Sequence, residues 1–128
     1  MVRLSALLVF AGVTAFSAVG GADNQVRWTV HTGADASAVS VVLPTALFKD
    51  VTVPMRGTRW RCLADKILRQ DPGGNTFSTL SIRCSDGETT VSSSASCAIG
   101  SHENAKLSFE LVEHTSNLTN AVRAECDG

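Results

Sequence analysis

Apolar and polar side chains alternate with period two along most of this chain, the mark of strands with one buried face. Val26, Trp28 and Val30 alternate with Arg27, Thr29 and His31, and Val39, Val41 and Leu43 repeat the pattern before Pro44. Val51, Val53 and Met55 follow, then Trp60 and Cys62 set against Arg59 and Arg61. Leu80, Ile82 and Cys84 oppose Thr79, Ser81 and Arg83; Val91, Ala95 and Cys97 share a parity, as do Leu107, Phe109 and Leu111. Leu118, Val122, Ala124 and Cys126 close the series.

Turn residues separate these segments. Asp71-Pro72-Gly73-Gly74-Asn75 is the strongest loop and Ser85-Asp86-Gly87-Glu88 the tightest turn, with Thr32–Asp35 and Gly100–Asn104 in the same role. Pro54 cannot donate to a ladder, so residues 50–55 belong on a sheet edge or at a strand end. Leu63 to Gln70 loses the alternation, and its residues allow a bulged continuation of the Trp60 strand or a single helical turn. The spacing predicts an all-β fold, a small antiparallel β-sandwich of about seven or eight strands. It is immunoglobulin-like in architecture only. The chain has no Tyr for a tyrosine corner, and Trp60 precedes Cys62 where an immunoglobulin Trp follows its first Cys.

The N-terminus reads differently. Arg3 precedes an apolar run from Leu4 to Phe16, and small residues follow through Ala22. That order predicts a secretory signal peptide over residues 1–22, cut after Ala22 or Gly20. The run is shorter than the roughly 20 residues of a membrane span, so no span is expected once the leader is gone. Residues 23–128 then form a single domain that is secreted or periplasmic.

All four cysteines, Cys62, Cys84, Cys97 and Cys126, fall in that domain. An even count in an exported chain predicts disulfides. Their spacings of 22, 13 and 29 residues are unlike the paired short spacings of zinc sites. Each Cys takes the apolar parity of its segment, so all four sulfurs point into the core. Three connectivities are open. The pairs Cys62–Cys84 and Cys97–Cys126 are favoured because the first two lie on segments joined by one loop.

Charge changes the picture locally. The mature chain carries ten basic against twelve acidic side chains, a net of −2 without general attraction to nucleic acid or membrane. Residues 56–83, however, are net +4 and residues 84–128 net −5. Parity turns Arg59, Arg61 and Arg83 outward, and neighbouring strands would merge them into one cationic patch. Such a patch could dock an anionic glycan or an acidic protein surface, or it could be absorbed by pairing with the acidic C-terminal strands. The two Trp sit at inward positions, which removes the stacking platforms that sugars and single strands of nucleic acid use. Arg outnumbers Lys eight to three, a lean toward a GC-rich bacterial genome, and Asn117-Leu118-Thr119 is a glycosylation sequon only if export ran through an ER.

No chemistry announces itself. There is no Gly-x-Ser-x-Gly elbow, no metal-ligand motif and no phosphate loop, and His31, His102 and His114 are isolated from one another. Glu103, Glu110, Glu113 and Glu125 read as surface carboxylates. The expectation is therefore a non-catalytic binding or structural module without metal or cofactor. Its rivals are a secreted enzyme inhibitor presenting the 71–75 loop and a hydrolase with a dispersed site.

Overall fold

The computed structural model describes residues 26–100, 105–113 and 118–127. Residues 1–22, the expected leader, lie outside the described residues, as do His102, Glu103, His114 and Asn117. Every alternating segment named above within that range is a strand or leads into one, and the described residues contain eight strands and no helix.

One sheet holds β1 (Arg27–Gly33), β2 (Val39–Val42), β7 (Lys106–Val112) and β8 (Thr119–Asp127), in the order β2-β1-β8-β7. The other holds β3 (Phe48–Val53), β4 (Arg61–Gln70), β5 (Thr76–Ser85) and β6 (Thr90–Ala98), in the order β3-β4-β5-β6. All neighbours pair antiparallel. The inner faces meet through Trp28, Val30, Leu80, Ile82, Leu111, Val122 and Ala124, all without solvent exposure. The expected sandwich is thus the fold, and Pro54 follows the last residue of an edge strand as its chemistry requires.

Residues 63–70 are not a helical turn. They continue β4, which pairs with β5 without interruption from Arg61 opposite Ser85 to Gln70 opposite Thr76. The alternation persists there: Cys62, Ala64 and Lys66 all face inward. A lysine at an inward position concealed it.

Lys66 is fully buried. Its ammonium donates to the carbonyls of Val26 at 2.9 Å, Thr45 at 2.8 Å and Pro44 at 3.5 Å. Val26 leads into β1, and Pro44 and Thr45 lie where the chain crosses from β2 in one sheet to β3 in the other. Irregular backbone at such a crossing cannot use the ladder, and a buried carbonyl needs some donor. One side chain from β4 supplies it at three places.

The disulfides are Cys62–Cys84 and Cys97–Cys126, the favoured pairs. Cys62 and Cys84 are opposite each other on β4 and β5, with Cα atoms 4.1 Å apart, so this bridge reinforces one hairpin. Cys97 on β6 and Cys126 on β8 have Cα atoms 6.4 Å apart and join the two sheets. Trp28 is opposite Cys126, and its indole N–H donates to Ser78 Oγ at 3.1 Å; Ser78 in turn is opposite Cys97. The fully buried tryptophan of the core thus lies beside the inter-sheet bridge with its polar atom satisfied.

The turns follow the sequence. Gly33 has φ +129°, and a Cβ there would meet Ala38 Cβ at 2.6 Å, so the turn after β1 requires glycine. In the β4–β5 turn the Asp71 carboxylate accepts from the Asn75 backbone at 2.8 Å and its side chain at 3.1 Å. The Asn75 side chain, then its backbone N–H, hold the Asp71 carboxyl below its usual range.

Candidate functional site

The three arginines singled out by parity come together. Arg59, Arg61 and Arg83 line one groove of about 610 Å³ at the end of the β3-β4-β5 sheet, within the size range of small-ligand pockets. Arg61 and Arg83 are diagonal neighbours on β4 and β5, since Arg61 is opposite Ser85 and Leu63 opposite Arg83. Val53, Pro54, Met55, Trp60 and Leu63 give the groove an apolar lining, and Thr52, Thr58 and Ser85 add hydroxyls. Lys66, counted in the same basic stretch of sequence, is excluded because it faces the core.

The arginines do not spend their charge on the acidic C-terminal strands. Arg83 reaches Asp50 at 3.5 Å, an exposed pair of the kind worth little. Asp50 is placed there by a bulge in β3, where its φ is +56° and its N–H donates to Asp65 Oδ1 at 2.7 Å. Among the described residues neither the Arg59 nor the Arg61 guanidinium forms an ion pair within 4.0 Å.

One wall of the groove is the 54–60 segment, and it is tied to the opposite sheet at both ends. Thr32 Oγ1 on β1 donates to Pro54 O at 3.0 Å. At the other end Glu113, one residue past β7, accepts from the Thr58 hydroxyl and from Arg59 N–H at 2.8 Å. Trp60 Nε1 donates to Val112 O at 3.3 Å. Glu113 is buried, which corrects its reading as a surface carboxylate. The Thr58 hydroxyl first, then the Arg59 N–H and the Arg59 charge, hold its carboxyl below the usual glutamate range. It positions the groove wall that carries Arg59.

The depressed carboxyl sets a sign. Stability from Glu113 is present above the unfolded glutamate pKa of about 4.3 and is lost as pH falls through the lower native value. Acid titration followed by Trp fluorescence is expected to show Trp60 responding before global unfolding, and E113Q is expected to remove that early step. An early step of full amplitude in E113Q would mean that Glu113 does not hold the wall.

The other candidates scatter. His31 lies 3.5 Å from Glu125 in a hollow of about 390 Å³ with Thr29 and Asp127, but Asp127 is engaged by Arg27 at 2.9 Å. Glu110 is exposed on β7 and does not join them. Among the described residues no three His, Cys, Asp or Glu side chains gather as a metal site, and no helix is long and apolar enough to cross a membrane.

Fold and groove together define the class: a small disulfide-linked β-sandwich with an arginine-lined groove at one sheet end. No protein-family model, no curated protein and no solved structure matches the chain. The two buried disulfides fit an oxidising compartment.

Proposed function

We propose that this protein is a non-catalytic binding module of the periplasm or cell exterior, and that its groove takes an acidic segment of a partner protein. The observation that carries this reading is the convergence of Arg59, Arg61 and Arg83 on one groove with an apolar lining. Guanidinium groups present planar forks that match carboxylates. Met55 and Leu63 beside them offer an apolar side chain a place to be buried between the charged contacts. A glycan fits less well, because Trp60 is the one aromatic residue of the lining and only 4 % exposed, leaving no stacking platform. The wall is held by hydrogen bonds to the other sheet, so little ordering remains to oppose binding.

The test is a titration of the mature protein with a fluorescent peptide in which one Leu is flanked by Asp and Glu, alongside a heparin oligosaccharide. Peptide binding is expected, weakened by salt and roughly a hundredfold weaker in the R59E/R61E/R83E variant. Heparin bound through the same arginines, without the peptide, would move the ligand class to glycans. Binding of both that is indifferent to the triple variant would remove the groove from consideration.

A further inference from the structure

Among the described residues, Arg83 is the one groove arginine whose guanidinium forms an ion pair, and its partner Asp50 is presented by irregular backbone. β3 spends two residues, Lys49 and Asp50, where β4 spends one, Asp65. Such a bulge re-aims a side chain at the expense of regular pairing. At Asp50 the chain enters the left-handed region, φ +56°, which Asp and Asn tolerate better than other residues with a side chain. The Asp50 N–H donates to Asp65 Oδ1 at 2.7 Å, so the irregularity is held in place. From this edge strand the Asp50 carboxylate meets Arg83 on β5, with β4 between them in the sheet.

The pair parts easily. Its 3.5 Å separation exceeds the roughly 2.8 Å of a good charge-assisted hydrogen bond. Both side chains are half exposed, so water and salt screen the attraction. Asp50 does not line the groove but stands beside it. An occupant of the groove can therefore take Arg83 without moving the bulge.

We propose that Asp50 is a resident competitor for Arg83, which it holds until a carboxylate of the bound partner takes its place. This inference rests on the reading of the groove as a site for an acidic segment. Arg59 and Arg61 are open to such a segment from the start, whereas Arg83 is gained only by outcompeting Asp50. A partner already held at Arg59 and Arg61 presents its next carboxylate at high effective concentration, which favours the exchange. A stray anion has no such advantage. Asp50 thus lowers the affinity of the groove for acidic ligands that reach Arg83 and leaves the others untouched.

A double-mutant cycle with the Leu peptide flanked by Asp and Glu tests this, using native protein, D50N, R83Q and D50N/R83Q. Asn tolerates the same backbone conformation and keeps the N–H donor to Asp65, so D50N removes only the charge. D50G, which also permits φ +56°, is the second variant should D50N fold poorly. At low ionic strength D50N is expected to bind the peptide about threefold more tightly than the native protein. In the R83Q background the same change is expected to give no gain. A competitor acts through Arg83, whereas a mere negative charge beside the groove repels an acidic ligand whether Arg83 is present or not. A gain that persists in R83Q therefore overturns the proposal, as does D50N binding no more tightly than native. Either result leaves the groove reading standing if the R59E/R61E/R83E variant still loses the peptide. Binding by none of the four proteins removes that reading and this inference together.

Discussion

Replacing Lys66 with Met is expected to destabilise the fold by about 3 kcal/mol, enough to lower a urea midpoint by roughly 2 M for a domain of this size. The sign is not obvious in advance. A buried ammonium is costly to desolvate, and substituting apolar residues for a whole buried ionic group often stabilises a protein. Here the acceptors cannot be replaced along with the donor, because they are backbone carbonyls of Val26, Pro44 and Thr45. Met fills the space and leaves them without Nζ. Val26 O is the most buried of the three contacts and carries most of the expected loss. Chemical denaturation of K66M measures it directly. Stability equal to the native protein would mean that water or rearranged backbone satisfies these carbonyls, and that the ammonium does not clamp the crossing between sheets.

Removal of the inter-sheet bridge is the second large effect. The C97A/C126A variant is expected to lose about 3.5 kcal/mol, or roughly 15 °C in melting temperature, whereas C62A/C84A loses roughly 2 kcal/mol. Loop length does not make this difference, since separations of 29 and 22 residues change the chain-entropy term by only about 0.2 kcal/mol. The denatured state makes it. Cys62 and Cys84 sit on a hairpin closed by the Asp71–Asn75 turn, and an unfolded chain that samples this hairpin already brings them near each other. Cys97 and Cys126 lie on strands of different sheets with no local turn to bring them together. Parallel melts of the two variants decide. Equal losses would show that the hairpin does not persist in the denatured ensemble.

The sequence and the structure agree most closely where periodicity alone carries the information. Strands, turns, the inward sulfurs and the outward Arg59, Arg61 and Arg83 follow from parity, because a side chain's face in a strand depends only on its position in the alternation. The two departures share a cause. Lys66 has the parity of Cys62 and Ala64, and Glu113 has the parity of Leu107, Phe109 and Leu111. Both are buried as that parity requires. Reading them by charge counted Lys66 only as one cation of the basic stretch and sent Glu113 to the surface, although the alternation already placed them inside. A charged residue on the apolar parity of a strand is a reason to look for backbone partners.

What the chain determines locally is therefore the β architecture, the positions of the turns and the face on which each cysteine and arginine lies, since each depends on neighbours a few residues away. Which strands become neighbours is a different matter, because register across the sandwich is settled by packing between segments far apart in sequence. Tertiary structure alone brought Arg59, Arg61 and Arg83 onto one groove, gave Asp50 to Arg83, and carried Glu113 and Thr32 from the opposite sheet to hold the groove wall. It also left β6 as the uncharged edge. These contacts span 22 to 55 residues of chain. No local pattern encodes them, because Asp50 meets Arg83 only when its sheet assembles, and Thr32 and Glu113 reach the groove wall only when the two sheets close.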